Sequence, residues 1–162
     1  MIVVSDATPV ISLAKIERLN LLGELYREVL LPEAVYDEVS RNPAFSAEAD
    51  AIKKCGFMKV KTVGKSQSVK ILRASGLDLC ESEAIVLADA LSDSLLLMDE
   101  RKGRQIAQNM GIRVIGTLGI LFQAKKQGLV EQIKPLLDTL RNENIRVGDN
   151  LYNSILEQAN EC

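Results

Sequence analysis

MIVVSDATPV, residues 1–10, joins an apolar run to an aspartate and then to a threonine and a proline. Ile2, Val3 and Val4 are β-branched and read as a short buried strand. Asp6 then falls at the carboxyl end of that strand, where open parallel sheets keep their binding crevice. Thr8 is placed to cap a helix. Pro9 would be its first residue, where a missing N–H costs nothing. Strand, acidic turn and helix in succession predict an α/β unit.

The same alternation continues along the chain. A helix is expected near 19–26, a strand over 29–31, and a helix opened by Pro32 and running to about Ser40. Residues 46–54 read as helix and 58–60 as strand. Gly76 breaks the chain before a helix at about 81–91. Residues 95–98 are a further apolar run of strand length. A helix follows to Met110, with Gly111 as its C-cap. Residues 114–115 form the next strand, and Thr117 can cap the helix after it. The chain from 131 onward is mostly helical. Alternating strands and helices predict a parallel sheet covered on both faces. The expected organisation is a main domain over 1–130, with 131–162 a C-terminal helical extension packed on it.

Composition narrows the chemistry. With 162 residues, 47% of them hydrophobic and 26% charged, the chain fits one globular domain. No apolar run approaches the roughly 20 residues of a membrane helix. The start lacks the basic-then-apolar pattern of a signal peptide, so a cytoplasmic location is expected. Cys55, Cys80 and Cys162 are too scattered for a disulfide framework or a zinc pair. Histidine is absent, which removes Ser–His and Cys–His catalysis and every histidine metal site. A net charge of −2 gives no general electrostatic footprint for nucleic acid and leaves room for a local basic patch.

Carboxylates therefore carry the reading. Asp99 follows LLLM as Asp6 follows IVVS, so two strands each deliver an acid at the same kind of place. Glu38, four residues after Ala34 and three after Val35, borders the apolar face of its helix. Glu33 sits in the first turn, where it complements the helix dipole. In CESEAIVLADAL, Glu83 adjoins the face made by Ala84, Leu87, Ala88 and Leu91. Glu81 lies about 200° around an ideal helix from Glu83, so one of the two is expected in a site, and Glu83 is preferred. Residues 75–100 hold seven acidic residues and no Lys or Arg. Such a cluster would be relieved by a cation, and oxygen ligands without histidine suit Mg²⁺ or Mn²⁺.

VSDATPVISLAKI, LPEAVYDEV, ESEAIVLADAL and LLLMDERKGRQIAQNMGIRVIGTLGIL resemble, in order and spacing, successive blocks of PIN-domain proteins. The resemblance covers roughly residues 1–130 and points to a branch related to the VapC-type toxins. It implies a three-layer α/β/α sandwich with a central parallel sheet, and a metal-dependent ribonuclease site of three or four carboxylates. Asp6 matches the family's first-strand aspartate and Thr8 its nearby hydroxyl. Glu38 matches the glutamate on the helix after the second strand, Glu83 the acid opening the central helix, and Asp99 the acid after the fourth strand. The toxins commonly carry a threonine-containing motif at that last place, where this chain has MDERKGR. Asp6 and Asp99 would be the primary ligands of Mg²⁺ or Mn²⁺, with Glu38 and Glu83 completing the shell. Thr8 would orient a water or phosphate oxygen, and Arg101, Lys102 and Arg104 would hold the RNA backbone. The implied partners are RNA and a small antitoxin protein. A homodimer is also implied, supported by the apolar residues of LGILFQAKKQGLV. Two other readings compete. A receiver-like domain needs a paired acid near the first strand and a lysine after the last, and neither is present. A non-catalytic PIN-fold module would bind RNA or protein without a metal.

Overall fold

The computed structural model describes residues 1–64 and 66–162. Five strands form one parallel sheet in the order β3-β2-β1-β4-β5. They are β1 (Ile2–Ser5), β2 (Val29–Pro32), β3 (Met58–Lys61), β4 (Ser94–Leu97) and β5 (Arg113–Ile115). The helices are α1 (Ala7–Lys15), α2 (Asn20–Tyr26), α3 (Glu33–Arg41), α4 (Ser46–Lys53), α5 (Gln67–Ala74), α6 (Leu79–Asp89), α7 (Arg101–Asn109), α8 (Thr117–Lys126), α9 (Lys134–Asn142) and α10 (Asp149–Gln158). A 3₁₀ turn at Pro43–Phe45 separates α3 from α4. From β1 the chain builds outward through β2 and β3, then returns to lay β4 on the other side of β1. The sheet order therefore reverses between β1 and β4, and the crevice beyond that reversal is where doubly wound sheets bind ligands.

Side chains alternate across the pleat and sort into two cores. Val3, Val29, Leu31 and Leu97 face one side, with Val10 and Leu13 of α1, Ile120 and Leu121 of α8, Leu137 and Leu140 of α9, and Leu156 of α10. Val4, Leu30 and Leu96 face the other, with Ala84, Ile85 and Ala88 of α6 and Ala107 of α7. This is a three-layer α/β/α sandwich. Leu97 is wholly buried, and Leu97→Ala leaves a cavity where α1 and α8 pack on the sheet. Urea denaturation is expected to show a loss of about 2–5 kcal/mol with an unchanged slope.

Local structure departs from the sequence reading in a few places. Asp6, not Thr8, is the N-cap of α1, and Pro9 is its third residue. Proline is tolerated throughout a first turn because those N–H groups have no intrahelical partner. Asp6 caps by backbone geometry with no side-chain cap bond, so its carboxyl remains available. Gly116 rather than Thr117 caps α8. Helix α6 starts at Leu79 under a reciprocal capping box: Glu81 N–H donates to Asp78 Oδ1 at 2.7 Å, and Asp78 N–H donates to Glu81 Oε1 at 2.9 Å. Helix α5, capped by Ser66, was not anticipated; Val69 is its one buried residue, so its apolar signal is faint. In the C-terminal segment, Glu161 accepts bonds from Lys125 Nζ and from the N–H groups of Ile133 and Lys134, each at 2.9 Å. Among the described residues no helix is long and apolar enough to cross a membrane.

Candidate active site

The ends of β1 and β4 open into a cavity of about 840 Å³ whose walls include Asp6, Thr8, Glu38, Asp78, Cys80, Glu81 and Glu100. Asp6 reaches it because β1 and β4 are in register, Ser5 opposite Leu97, and Asp6 N–H donates to Leu97 O at 2.9 Å. The residue is 4% exposed. Burial lifts its carboxyl to about 7; the Ala7 N–H opposes this, while the charges of Asp78, Asp99 and Glu100 add to it. An acid that resists ionisation in this way is short of a positive partner.

Glu81 and Glu100 form the opposite wall. Burial also drives the Glu81 carboxyl up to about 7, and the charges of Asp78 and Asp6 push it further. The neighbouring Glu100 carboxyl adds to the rise. Glu100 is the N-cap of α7, and its oxygens accept the N–H groups of Lys102 at 3.0 Å and Gly103 at 2.6 Å. Its burial is outweighed by those N–H bonds, so its carboxyl lies below the ordinary range. Of the two, Glu81 is the acid driven up and Glu100 the one held down. Gly103 permits this approach: a Cβ there would stand 2.6 Å from Met98 Sδ and 3.3 Å from Glu100 Oε2. Cys80 is no nucleophile. Burial, then Asp6, Asp78, Glu38 and Glu83, push its thiol up to about 12, and it donates to Ala34 O at 3.4 Å.

The residues singled out from sequence are distributed around this cavity. Asp6, Thr8 and Glu38 line it. Glu38 is exposed and accepts from Asn42 Nδ2 at 3.0 Å. Glu83 stands behind the wall and accepts Ala34 N–H at 3.1 Å, fastening α6 to the start of α3. Asp99 turns to the far side, where Thr117 N–H and Oγ1 donate to its two oxygens at 2.7 and 2.6 Å. Of the two acids in each pair, then, Glu81 and Glu100 line the cavity, and Glu83 and Asp99 do not. Arg101 is exposed at the start of α7. Lys102 Nζ donates to Ser75 O at the end of α5, and Arg104 Nη1 donates to Met98 O at 3.0 Å. Asp78, Glu81 and Glu100 were not chosen from sequence. The signal for two of them was the Asp-x-x-Glu capping pattern in DLCE.

All acidic groups on the cavity wall offer oxygen donors, and among the described residues none of Asp6, Asp78, Glu81 or Glu100 pairs with a lysine or arginine. As the side chains stand, no three acidic or cysteine groups among the described residues are gathered closely enough to hold an ion.

Neither the curated proteins nor the solved structures compared with this chain gave a match. A family model described as PIN domain, a nuclease-type fold, matches residues 2–161 and so spans both the sheet and the C-terminal helices. With a parallel sheet that reverses between β1 and β4 and acids at both strand ends, the chain belongs to the PIN-domain family.

Proposed function

We propose that the protein is a divalent-metal-dependent endoribonuclease whose acidic cavity holds Mg²⁺ or Mn²⁺. The observation that carries this reading is the buried Asp6 carboxyl, lifted to about 7 and faced by Asp78, Glu81 and Glu100 without a cationic partner. A hard divalent cation supplies that partner, and the all-oxygen donor set fits Mg²⁺ or Mn²⁺. Asp6, Glu38, Glu81 and Glu100 are the groups we assign to hold it, by side-chain rotation that gathers them around the ion. Asp99 and Glu83 then act as supports: Asp99 fixes the start of α8 through Thr117, and Glu83 fixes α3.

When bound, the ion supplies a water of lowered pKa and stabilises the leaving oxygen of a phosphodiester. The chain's own residues prepare the site for that work. Loading would favour the ionised form of Asp6, because a cation offsets the cost of burying its charge. A bound cation would likewise favour the ionised form of Glu81. Thr8 presents its hydroxyl at the mouth of the cavity, within reach of a phosphate oxygen. Burial of Asp6 keeps bulk water from screening these charges.

The same reading extends to partners and setting: a cytoplasmic enzyme acting on RNA, the toxin of a toxin–antitoxin pair with a small antitoxin protein, and a homodimer. Cleavage of a labelled single-stranded RNA in Mn²⁺, set against the same reaction in EDTA, tests the enzyme. Cleavage that is equal in both, or absent in both with no change in melting temperature on adding Mn²⁺ or Mg²⁺, overturns the reading in favour of a non-catalytic module. Light scattering at micromolar concentration tests the dimer.

A further inference from the structure

We propose that a second cavity, on the far side of Asp99, is a nucleotide subsite taking one unstacked base and its phosphate from single-stranded RNA; the inference rests on the ribonuclease reading. This cavity, about 600 Å³, lies between the start of α8 and the α9–α10 segment. That is the size range of small-molecule sites. Thr8 lines both cavities, so they are neighbours at the start of α1.

The two cavities have opposite electrostatic character. Asp99 is the acid of the second cavity, and Thr117 donates to each of its oxygens. Arg104 and Arg146 line it as well, and among the described residues neither makes an ion pair. By contrast Arg113 and Arg141 are paired, to Asp93 and Asp149. An acidic cavity that takes a metal ion suits the phosphate to be cut, and an adjoining cavity with the exposed Arg146, and with Arg104 anchored on Met98 O, suits the next phosphate.

The remaining wall suits a base. Val147, Leu151 and Ile155 form an apolar side, and Leu151 is 53% exposed at its rim. Ser154 and Gln158 add hydroxyl and amide groups that can read the polar edge of a base. Sequence-specific RNA recognition splays single-stranded bases into such slots and stacks them on guanidinium planes or rings. Among the described residues no aromatic ring lines this cavity, so Arg104 and Arg146 would provide the stacking planes.

Fluorescence anisotropy of a labelled ten-nucleotide phosphorothioate RNA that resists cleavage, with the full chain in Mn²⁺, tests the subsite. Arg146→Ala and Leu151→Asp are each expected to weaken binding at least tenfold. Arg146→Ala should also flatten the salt dependence by about 0.7 in the log–log slope. Arg113→Ala removes an equal charge at the opposite end of the sheet and is expected to leave binding unchanged. Wild-type binding unaffected by Arg146→Ala, or weakened equally by Arg113→Ala, overturns the subsite and leaves the nuclease reading standing. A wild-type chain that binds no RNA overturns both. Arg146 is exposed, so its variant keeps the test decisive even if Leu151→Asp unfolds.

Discussion

Asp6→Asn is expected to abolish Mn²⁺-dependent RNA cleavage and, in the same molecule, to stabilise the metal-free fold. Asparagine keeps the shape and one acceptor oxygen and removes the charge. At pH 8 the wild-type carboxyl must be ionised inside a wall of acids. Its rise from 3.8 to about 7 corresponds to a cost on the order of 4 kcal/mol. The asparagine amide recovers most of this and loses about 1–3 kcal/mol to imperfect hydrogen bonding. A net gain of about 1–3 kcal/mol should appear in urea denaturation in EDTA. Activity should fall by at least about 10²-fold, the scale for removing one preorganised charged group. A variant cleaving at the wild-type rate under saturating Mn²⁺ would refute the assignment of Asp6. A variant less stable than wild type at pH 8 would show instead that Asp6 is a structural hydrogen-bonding group.

The second large effect is a pH dependence that the metal reverses. Asp6 and Glu81 have folded-state values raised to about 7. Between their unfolded values, near 4, and about 7, the native state binds more protons than the unfolded state. The stability tied to these groups is thus fully present below the unfolded values and is lost as pH rises through about 7. Each proton contributes a slope of up to about 1.4 kcal/mol per pH unit. Carboxyls held low, such as Glu48 by its bond from Lys15, act in the opposite sense at lower pH and are silent in this window. Metal-free protein should therefore melt at a lower temperature at pH 8 than at pH 5.5. A divalent ion binds the folded, deprotonated site, so at about 100 times its dissociation constant it restores roughly 2.7 kcal/mol at pH 8. It should have little effect at pH 5.5, where protons compete for the same oxygens. Melting curves at the two pH values, with and without Mn²⁺, measure the reversal. Equal metal shifts at both values would contradict it.

Most of the fold was legible because a buried parallel sheet writes itself as short apolar runs between helices. The runs at Ile2–Ser5, Val29–Pro32 and Ser94–Leu97 are such runs, and their strands lie side by side at the centre of the sheet. Asp6 was legible for the same reason, as the acid that ends the central strand. Glu81 was not. A helical wheel compares side chains on the flank of a helix, and it sets Glu81 away from Glu83. Glu81, however, lies in the first turn of α6, where its side chain folds back over the helix start to meet Asp78 N–H. The cavity lies beyond that end, and the angle around the wheel does not govern it. Asp99 is legible as an acid after a strand, whereas its neighbour Glu100 is not. Adjacent acids at a strand end point to opposite sides, and which one faces the cavity depends on where α7 begins. The grip of Glu161 on the start of α9 leaves no local pattern at all.

The reversal of strand order has a kinetic consequence. Asp6 and Glu100 follow neighbouring strands yet lie far apart in sequence, so neither half of the chain carries the proposed metal site by itself. An unfolded or half-formed chain offers the ion only scattered carboxylates, and the ion cannot template folding. Its binding energy accrues after β1 and β4 have paired, on the native side of the barrier. In stopped-flow measurements at pH 8, Mn²⁺ should leave the refolding rate nearly unchanged and slow unfolding by the full factor of its equilibrium stabilisation, making the loaded protein long-lived rather than quick to form.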